Sequence, residues 1–163
     1  KLWDITGQQI AVLLHKDSVN SVCFSPDSKI VATASSDNTA KLWDIKEQET
    51  NILPHQDSVN SISFSQDGEL IATASSDNTA KLWDITGQLI VVLPHQNPVN
   101  SISFSRDGKL VATVGYDTIA RLWDITGQLI AVLPHQDLVK SACFSREGKL
   151  VATASDDNTA KLW

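Results

Sequence analysis

The hydrophobic residues of this chain fall in short runs that are separated by polar, turn-forming residues. In the first copy of the pattern the runs cover residues 9–14, 19–24, 30–35 and 39–43. They contain many β-branched residues, and Asp, Asn, Ser, Pro and Gly are frequent between them. Such runs are typical of short strands joined by tight turns. Because helical periodicity is absent throughout, the pattern predicts an all-β chain made of four-stranded antiparallel sheets.

The whole pattern recurs along the chain with a fixed period. The five tryptophans stand 40 residues apart, at Trp3, Trp43, Trp83, Trp123 and Trp163. A fixed period in the range of about 20–50 residues indicates one supersecondary unit that is copied along the chain. We divide the chain into repeats at residues 8–47, 48–87, 88–127 and 128–163.

One sheet of this kind is apolar on both of its faces. In the run over residues 19–24, Val22 and Phe24 point to one side, and Val19 and Cys23 point to the other. A single sheet therefore cannot stand alone in water. Neighbouring sheets are expected to stack face to face at about 10 Å, which is the arrangement of a β-propeller.

Two motifs recur in step with the tryptophans. Each tryptophan ends a Lys/Arg-Leu-Trp phrase, and an aspartate stands six residues before all but the first. With these motifs the chain resembles the WD-repeat β-propeller family over its whole length. The family's repeat usually opens with Gly-His; the histidine is present here, but Leu14 or a proline replaces the glycine. Further departures are Glu47, where the other copies have glycine, and Thr118, where they have asparagine.

The resemblance implies a buried hydrogen-bond network in every repeat. In the family this network links the histidine, a Ser or Thr of a strand, the turn aspartate and the tryptophan. Carried onto this chain, the four sets are His15, Thr33, Asp37 and Trp43; His55, Thr73, Asp77 and Trp83; His95, Thr113, Asp117 and Trp123; and His135, Thr153, Asp157 and Trp163. Buried tryptophans need an acceptor and buried aspartates need donors, so we expect these sets to be structural.

The same sets could also be interpreted as reactive groups. A Thr, a His and an Asp within reach of one another resemble a nucleophile, a base and its orienting acid. Four copies occur, however, each expected to be locked by its own tryptophan. Equivalent histidines on stacked sheets lie about 10 Å apart or more, so they cannot converge on one metal ion. We therefore predict no enzyme activity, no catalytic or metal site and no cofactor.

Composition narrows the classes of partner. The net charge is −6, and the 13 Lys and Arg residues do not cluster. Binding to nucleic acid or to anionic membranes relies on such clusters, so neither partner is expected. The apolar runs are also too short to cross a bilayer as a helix.

The two cysteines occupy the same position of the repeat. Cys23 and Cys143 stand where the other copies have Ser63 and Ser103. Exchange among small residues favours a packing role over a disulfide. Free cysteines suit a reducing compartment, so a cytoplasmic location is expected.

The copies differ from one another most clearly at loops and strand ends that should open onto one face of the propeller. The resemblance implies that this face receives partners, although surface drift explains the variation equally well. Tyr116 is the best anchor candidate, together with Pro98 and Leu138, because exposed aromatic side chains favour interfaces. The candidate partner-binding residues are Ser18, Asn20, Ser36, Ser58, Asn60, Ser76, Pro98, Asn100, Tyr116, Leu138, Lys140 and Asp156.

The leading interpretation is a non-catalytic scaffold that presents these loops to protein or peptide partners, as a sensor or assembly module of a larger regulatory protein. The alternative is small-ligand binding or enzymatic activity in the central channel. A third interpretation is an assembly module without any ligand.

Four repeats are expected to be too few for an unstrained ring, because propellers of the resembled kind close with seven or eight blades. We expect two chains to pair as half-rings of an eight-bladed homodimer. The N-terminal outer strand, at about residues 9–14, would then complete the last blade in cis or in trans. One rival is a longer protein, of which this chain is a segment and which carries further repeats. The other is a lone four-bladed ring.

Overall fold

The computed structural model describes residues 1–46 and 50–163 of the chain. Glu47 and the predicted boundary between the first two repeats lie outside the described residues. All regular secondary structure of the described residues is β, which confirms the predicted fold class. In the same residues no helix has the length and apolar character that crossing a membrane requires.

The described part of the chain forms five antiparallel sheets, four of which we call blades 1 to 4. A two-stranded sheet at the amino-terminal end pairs β1 (Leu2–Trp3) with β2 (Gln9–Ala11). Blade 1 contains β3 (Val19–Phe24), β4 (Ile30–Ser35), β5 (Thr39–Asp44) and β6 (Thr50–Pro54). Blade 2 contains β7 (Val59–Phe64), β8 (Leu70–Ser75), β9 (Thr79–Asp84) and β10 (Leu89–Pro94). Blade 3 contains β11 (Val99–Phe104), β12 (Leu110–Gly115), β13 (Ile119–Asp124) and β14 (Leu129–Pro134). Blade 4 contains three strands, β15 (Val139–Phe144), β16 (Val151–Ser155) and β17 (Ala160–Leu162).

Within each blade the strands follow chain order, so neighbouring strands form antiparallel hairpins. The first strand of each blade contacts the first strand of the next blade and is therefore the innermost. The fourth strand lies at the outer edge and comes from the beginning of the following predicted repeat. In blade 3, for example, Trp123 of β13 pairs with Leu129 of β14. The outer strand thus fastens each repeat to the one before it.

The hydrophobic core lies between the blades. At the first junction, Leu42 of blade 1 packs in one cluster with Val59 and Trp83 of blade 2. At the second junction, Leu82 of blade 2 packs with Val99 of blade 3. Each junction therefore removes two apolar sheet faces from water at once, which is the stacking that the two-sided apolar pattern predicted.

The row of blades has two uncovered ends. On β3 the side chain of Val22 is 63% exposed, whereas its equivalent Ile62 on β7 is only 5% exposed because blade 1 covers it. On β17 the side chain of Leu162 is 69% exposed, whereas Leu82, at the same position of the repeat, is fully buried. Among the described residues, no comparable contact joins β3 to β15. The blades therefore form an open row.

The amino-terminal sheet repeats the pairing found at the outer edge of a blade. Leu2 pairs with Ala11 and Trp3 pairs with Gln9, at the same spacing as the pairs between β13 and β14. The outer strand expected at about residues 9–14 is thus shorter, and it is held by β1. Two cavities, of about 310 and 340 Å³, lie between this sheet and blade 1.

Substitution of two equivalent leucines tests the difference between a junction and an open end. Leu82→Ala is expected to lower the free energy of unfolding by about 2–5 kcal/mol, because it empties a buried site in a junction. In a separated chain, Leu162→Ala changes the same position of the motif at the exposed end, so a loss within about 0.5 kcal/mol is expected there. Urea denaturation of dilute protein measures both values. Equal losses would show that the end of blade 4 is covered in solution.

Candidate interaction face

Two groups of loops lie on the same side of the blades. One group connects an outer strand to the next inner strand, and the other is the turn after the second strand of a blade. Backbone hydrogen bonds join the two groups: Ser36 N–H donates to the carbonyl of Ser18 (2.8 Å), and Tyr116 N–H donates to that of Pro98 (2.9 Å). We call this side the loop face; it comprises residues 15–18, 55–58, 95–98 and 135–138 and the turns 36–38, 76–78, 116–118 and 156–158.

The structure places the twelve candidate partner-binding residues on the loop face or at the strand starts beside it. None of them is buried. The four histidine, threonine, aspartate and tryptophan sets lie beneath and within the same loops. All four threonines of these sets are buried.

A chain of hydrogen bonds runs from the core to the loop face. In blade 2, Trp83 Nε1 donates to Thr73 Oγ1 (2.8 Å), and this oxygen lies 2.8 Å from His55 Nε2. His55 Nδ1 lies 2.8 Å from Asp77 Oδ2. A carboxylate only accepts, so Nδ1 carries the hydrogen and Nε2 accepts from the threonine hydroxyl. Each link thus has a donor and an acceptor.

The same links occur at blades 1 and 4, and the aspartate also holds the connecting loop. In blade 1, Asp37 Oδ2 lies 2.9 Å from His15 Nδ1 and accepts from Lys16 N–H at 2.9 Å. In blade 4, His135 Nδ1 lies 2.8 Å from Asp157 Oδ2. The carboxylate therefore ties the turn to the connection, and the packed core fixes the geometry of the loop face.

Burial sets the charge states within the network. It lowers the pKa of His55 from its ordinary value of 6.5 to about 4, and it lowers the pKa of His95 to about 4 as well. Burial alone raises the pKa of Asp77, but hydrogen bonds from the Thr79 hydroxyl, a backbone N–H and His55 outweigh it and lower that pKa to about 2. At neutral pH these two histidines are therefore neutral, and the Asp77 carboxylate is charged.

The third repeat departs from the network that the sequence predicted. His95 Nδ1 faces the carbonyl of Leu93 (3.0 Å), whereas Asp117 Oδ2 accepts from Arg121 Nη1 (2.8 Å). The expected link between His95 and Asp117 is therefore missing. The inner part of the chain is kept, since Thr113 Oγ1 lies 2.9 Å from His95 Nε2.

The turn sequence explains this departure. In the other three turns the residue after the aspartate is an asparagine at positive φ: Asn38 (67°), Asn78 (66°) and Asn158 (63°). The third turn has Thr118 there, and it is not among the residues at positive φ. A β-branched residue strongly disfavours that conformation, so the turn follows a different course. Arg121, where the other copies have lysine, then donates a hydrogen bond to the Asp117 carboxylate.

A second set of contacts crosses the blade junctions on the loop face. Asn20 Nδ2 donates to Ser36 Oγ (3.0 Å) and to the carbonyl of Val59 in the next blade (2.9 Å). Asn60 makes the same two bonds, to Ser76 Oγ (3.0 Å) and to the carbonyl of the next blade's first valine (2.9 Å). We call this arrangement the asparagine clamp. It joins two positions that vary between copies and are 16 residues apart.

The clamp is absent from the other two copies. Tyr116 occupies the serine position in the third copy, and within the described residues the Asn100 side chain makes no hydrogen bond. In the fourth copy Lys140 Nζ forms an ion pair with Asp156 Oδ2 at 2.7 Å. The sequence singled out both positions, but it did not reveal that they are partners. The available signal was the fourth copy, in which both positions change together, from Asn and Ser to Lys140 and Asp156.

The connecting loop of the third copy has changed with its turn. In the first copy Asp17 Oδ1 accepts from Ser18 N–H (2.6 Å), but Pro98 has no N–H and Asn97 replaces the aspartate. The carbonyl of Pro98 lies so close to Gly115 that a Cβ there would be only 2.3 Å away. Gly115, which was not among the predicted site residues, is thus required by this approach of the two backbones.

These changes leave a small cleft at the junction of blades 3 and 4. Its cavity volume is about 30 Å³. We call it the junction cleft; its lining residues are Asn100, Gly115, Tyr116, Leu138, Val139 and Lys140.

The chemistry available to the network is limited by burial. Thr73 is fully buried, and its hydroxyl oxygen already lies within hydrogen-bond distance of Trp83 and His55. Such a hydroxyl is not accessible to a substrate. Among the described residues, no three His, Cys, Asp or Glu side chains are grouped so that they could hold a metal ion. Cys23 and Cys143 are both free thiols.

The lowered histidine pKa values predict that the protein loses stability in mild acid. Between pH 6.5 and 4 the unfolded state binds more protons at His55 and His95 than the folded state does, so the free energy of unfolding falls as the pH falls. The expected loss between pH 8 and pH 5 is about 2 kcal/mol for each of these histidines. Denaturant titrations across this pH range measure it.

His95→Gln provides the control for this prediction. It removes one of the two histidines whose pKa is lowered, so the pH-dependent loss should shrink by about 2 kcal/mol. A stability that stays level from pH 8 to pH 5 would contradict the prediction.

A comparison with family models agrees with this geometry. The family described as WD domain, G-beta repeat matches residues 7–44, 47–84, 87–124 and 127–163. The four matches cover most of the chain and follow its 40-residue period, which confirms the resemblance. No curated protein matches the chain. WD-repeat proteins generally act as non-catalytic scaffolds for protein interactions. The chain belongs to the WD-repeat family.

Proposed function

We propose that this chain is a non-catalytic scaffold that presents its loop face to protein or peptide partners. The observation that carries the proposal is the distribution of differences between copies. Core positions repeat almost unchanged, as in Ala40, Ala80 and Ala120, which are all buried. The twelve candidate residues come from three positions that vary between copies; they lie on the loop face or at the strand starts beside it, and none of them is buried. A nearly constant frame with varied side chains on one side suits partner recognition.

The hydrogen-bond network supports the same role. In the first, second and fourth copies it holds the turn against its connecting loop and thereby restricts these loops before any partner arrives. Preorganised loops lose little conformational entropy on binding, which favours affinity. Tyr116 is 56% exposed and supplies an aromatic anchor of the kind that dominates many interfaces.

The chain would serve as a sensor or assembly module of a larger regulatory protein in the cytoplasm. The two free cysteines support a reducing compartment. The burial of the network threonines supports a role without catalysis. Nucleic acid and membranes are not proposed as partners, because the net charge of −6 opposes binding to anionic surfaces.

We further infer that two copies close one eight-bladed ring. The end of blade 4 exposes Leu162, and the end of blade 1 exposes Val22 and Phe24. At the first internal junction the equivalent residues, Leu42 on one side and Ile62 on the other, pack in one cluster. Each end of one copy is thus the natural complement of the opposite end of another, and a two-fold pair satisfies both ends.

Ring closure would also complete the three-stranded blade 4. The β2 strand of one copy would add to β17 of the other, as β14 adds to β13 within blade 3. β2 is now paired with β1, whose sequence Lys1-Leu2-Trp3 repeats Lys161-Leu162-Trp163. Closure in trans therefore requires β1 to leave β2 so that β17 of the partner copy can replace it.

The scaffold proposal is tested by selecting a random peptide display library on the immobilised protein. We expect enriched peptides whose affinity falls by about tenfold or more in Ser18→Arg and Ser58→Arg, because these changes place a bulky charge on the loop face. Gln66→Arg introduces the same side chain in an exposed turn on the opposite side and should leave binding unchanged. Peptides that respond equally to all three variants, or no enrichment at all, would overturn the proposal.

Ring closure is tested by light scattering over a dilution series. We expect a mass of twice the 17.7 kDa chain. Val22→Lys should give the mass of one chain, because it buries a charge in the new junction. Val132→Lys makes the same change at an exposed position of the outer edge and should retain the double mass. A single-chain mass for the unchanged protein would contradict ring closure.

A further inference from the structure

At the junction between blades 3 and 4, one side chain lacks the hydrogen bonds that its equivalents make at the other two junctions. Asn20 and Asn60 close their junctions by donating to a serine of their own blade and to a main-chain carbonyl of the next. Asn100 is at the same position and is half-buried beside the next blade. Within the described residues its amide makes neither bond. Among the three described junctions, this is therefore the one at which the asparagine amide has an unbonded donor and acceptor.

The chemistry of the asparagine indicates what it would bind. At the other two junctions the same amide donates to the main-chain carbonyls of Val59 and Val99, so its position suits peptide backbone. A primary amide carries donor hydrogens on one side and an acceptor oxygen on the other. It can therefore pair with both the N–H and the C=O of an extended peptide.

Charge and volume restrict the occupant further. Lys140 and Asp156 pair at 2.7 Å beside the cleft, and the hydrogen bond with Asp156 raises the pKa of Lys140. The two charges balance, so the cleft attracts neither a strongly acidic nor a strongly basic segment. A cavity of about 30 Å³ accepts only a small group. The exposed ring of Tyr116 adds a flat apolar surface at its edge.

We propose that the junction cleft docks an extended, uncharged peptide segment, which pairs one backbone amide with Asn100 and packs an alanine or proline side chain against Tyr116. The proposal rests on the proposed scaffold function and names the place on the loop face and the class of partner. Tyr116 opens the site by occupying the position of the clamp serine. Substitution by serine, as in the first two copies, is expected to close it.

The test uses two capped amino acids as probes, N-acetyl-L-proline-N-methylamide and N-acetyl-L-alanine-N-methylamide. Amide spectra of the isotope-labelled protein are recorded during titration. We expect saturable shifts at the Asn100 side-chain amide and at the Gly115 and Tyr116 backbone amides. Asn60 is the internal control, because its amide is already engaged in a clamp and should not shift.

Two reciprocal variants sharpen the test. Tyr116→Ser should weaken probe binding by about tenfold or more, since Asn100 regains the serine partner that Asn20 and Asn60 have. Ser76→Tyr should release Asn60 and create a second set of saturable shifts there. Both variants introduce residues that occur at this position in other copies, and their amide spectra show directly whether the fold is kept.

Three results would overturn the proposal: no shift at Asn100, equal shifts at Asn60 and Asn100, or unchanged probe affinity in Tyr116→Ser. The scaffold function is judged separately by the selected peptides. If Ser58→Arg releases those peptides while Tyr116→Ser does not, the loop face binds partners but the junction cleft is not the place. If the peptide selection fails while the probes still give saturable shifts at Asn100, the junction cleft binds small amides but the scaffold proposal is overturned.

Discussion

Every blade of this protein has two apolar faces, and the rest of the structure depends on covering both of them. The core is accordingly divided among the junctions, where residues such as Leu42 and Val59 meet across two blades. Stability is therefore shared between neighbours, as in other repeat architectures. The same constraint explains the exposed Val22 and Leu162, which are ordinary junction residues that lack a neighbouring blade in the open row.

The hydrogen-bond network connects the packed core to the loops at the surface. In blade 2 the Trp83 indole lies in the junction core, while Asp77 at the far end of the network accepts from the backbone of the connecting loop. Burial lowers the pKa of the intervening His55, which keeps that residue neutral. The loops of the loop face are thus positioned by the same side chains that fill the core.

The third copy shows how a few substitutions can create a distinct surface on a repeated frame. Thr118 gives the turn a different backbone conformation, and Arg121 donates to the turn aspartate. Tyr116 occupies the position of the clamp serine. The core links of that copy, from Trp123 through Thr113 to His95, remain in place. The side chains of the loop face can therefore differ at one junction without loss of the packing beneath them.

The sequence by itself determined the strands and the period, because these follow from local alternation and from a motif repeated in step. The threonine partners of Trp43, Trp83, Trp123 and Trp163 came from the resemblance to the WD-repeat family. The sequence also marked the variable positions. Only the tertiary structure paired Asn20 with Ser36, since those residues meet across two neighbouring strands and bond onward to another blade. It likewise separated His95 from Asp117, because the course of one turn decides whether the carboxylate can reach the ring. Side-chain pairing depends on the backbone conformation of a turn and on the distance between blades, and a local sequence pattern specifies neither quantity.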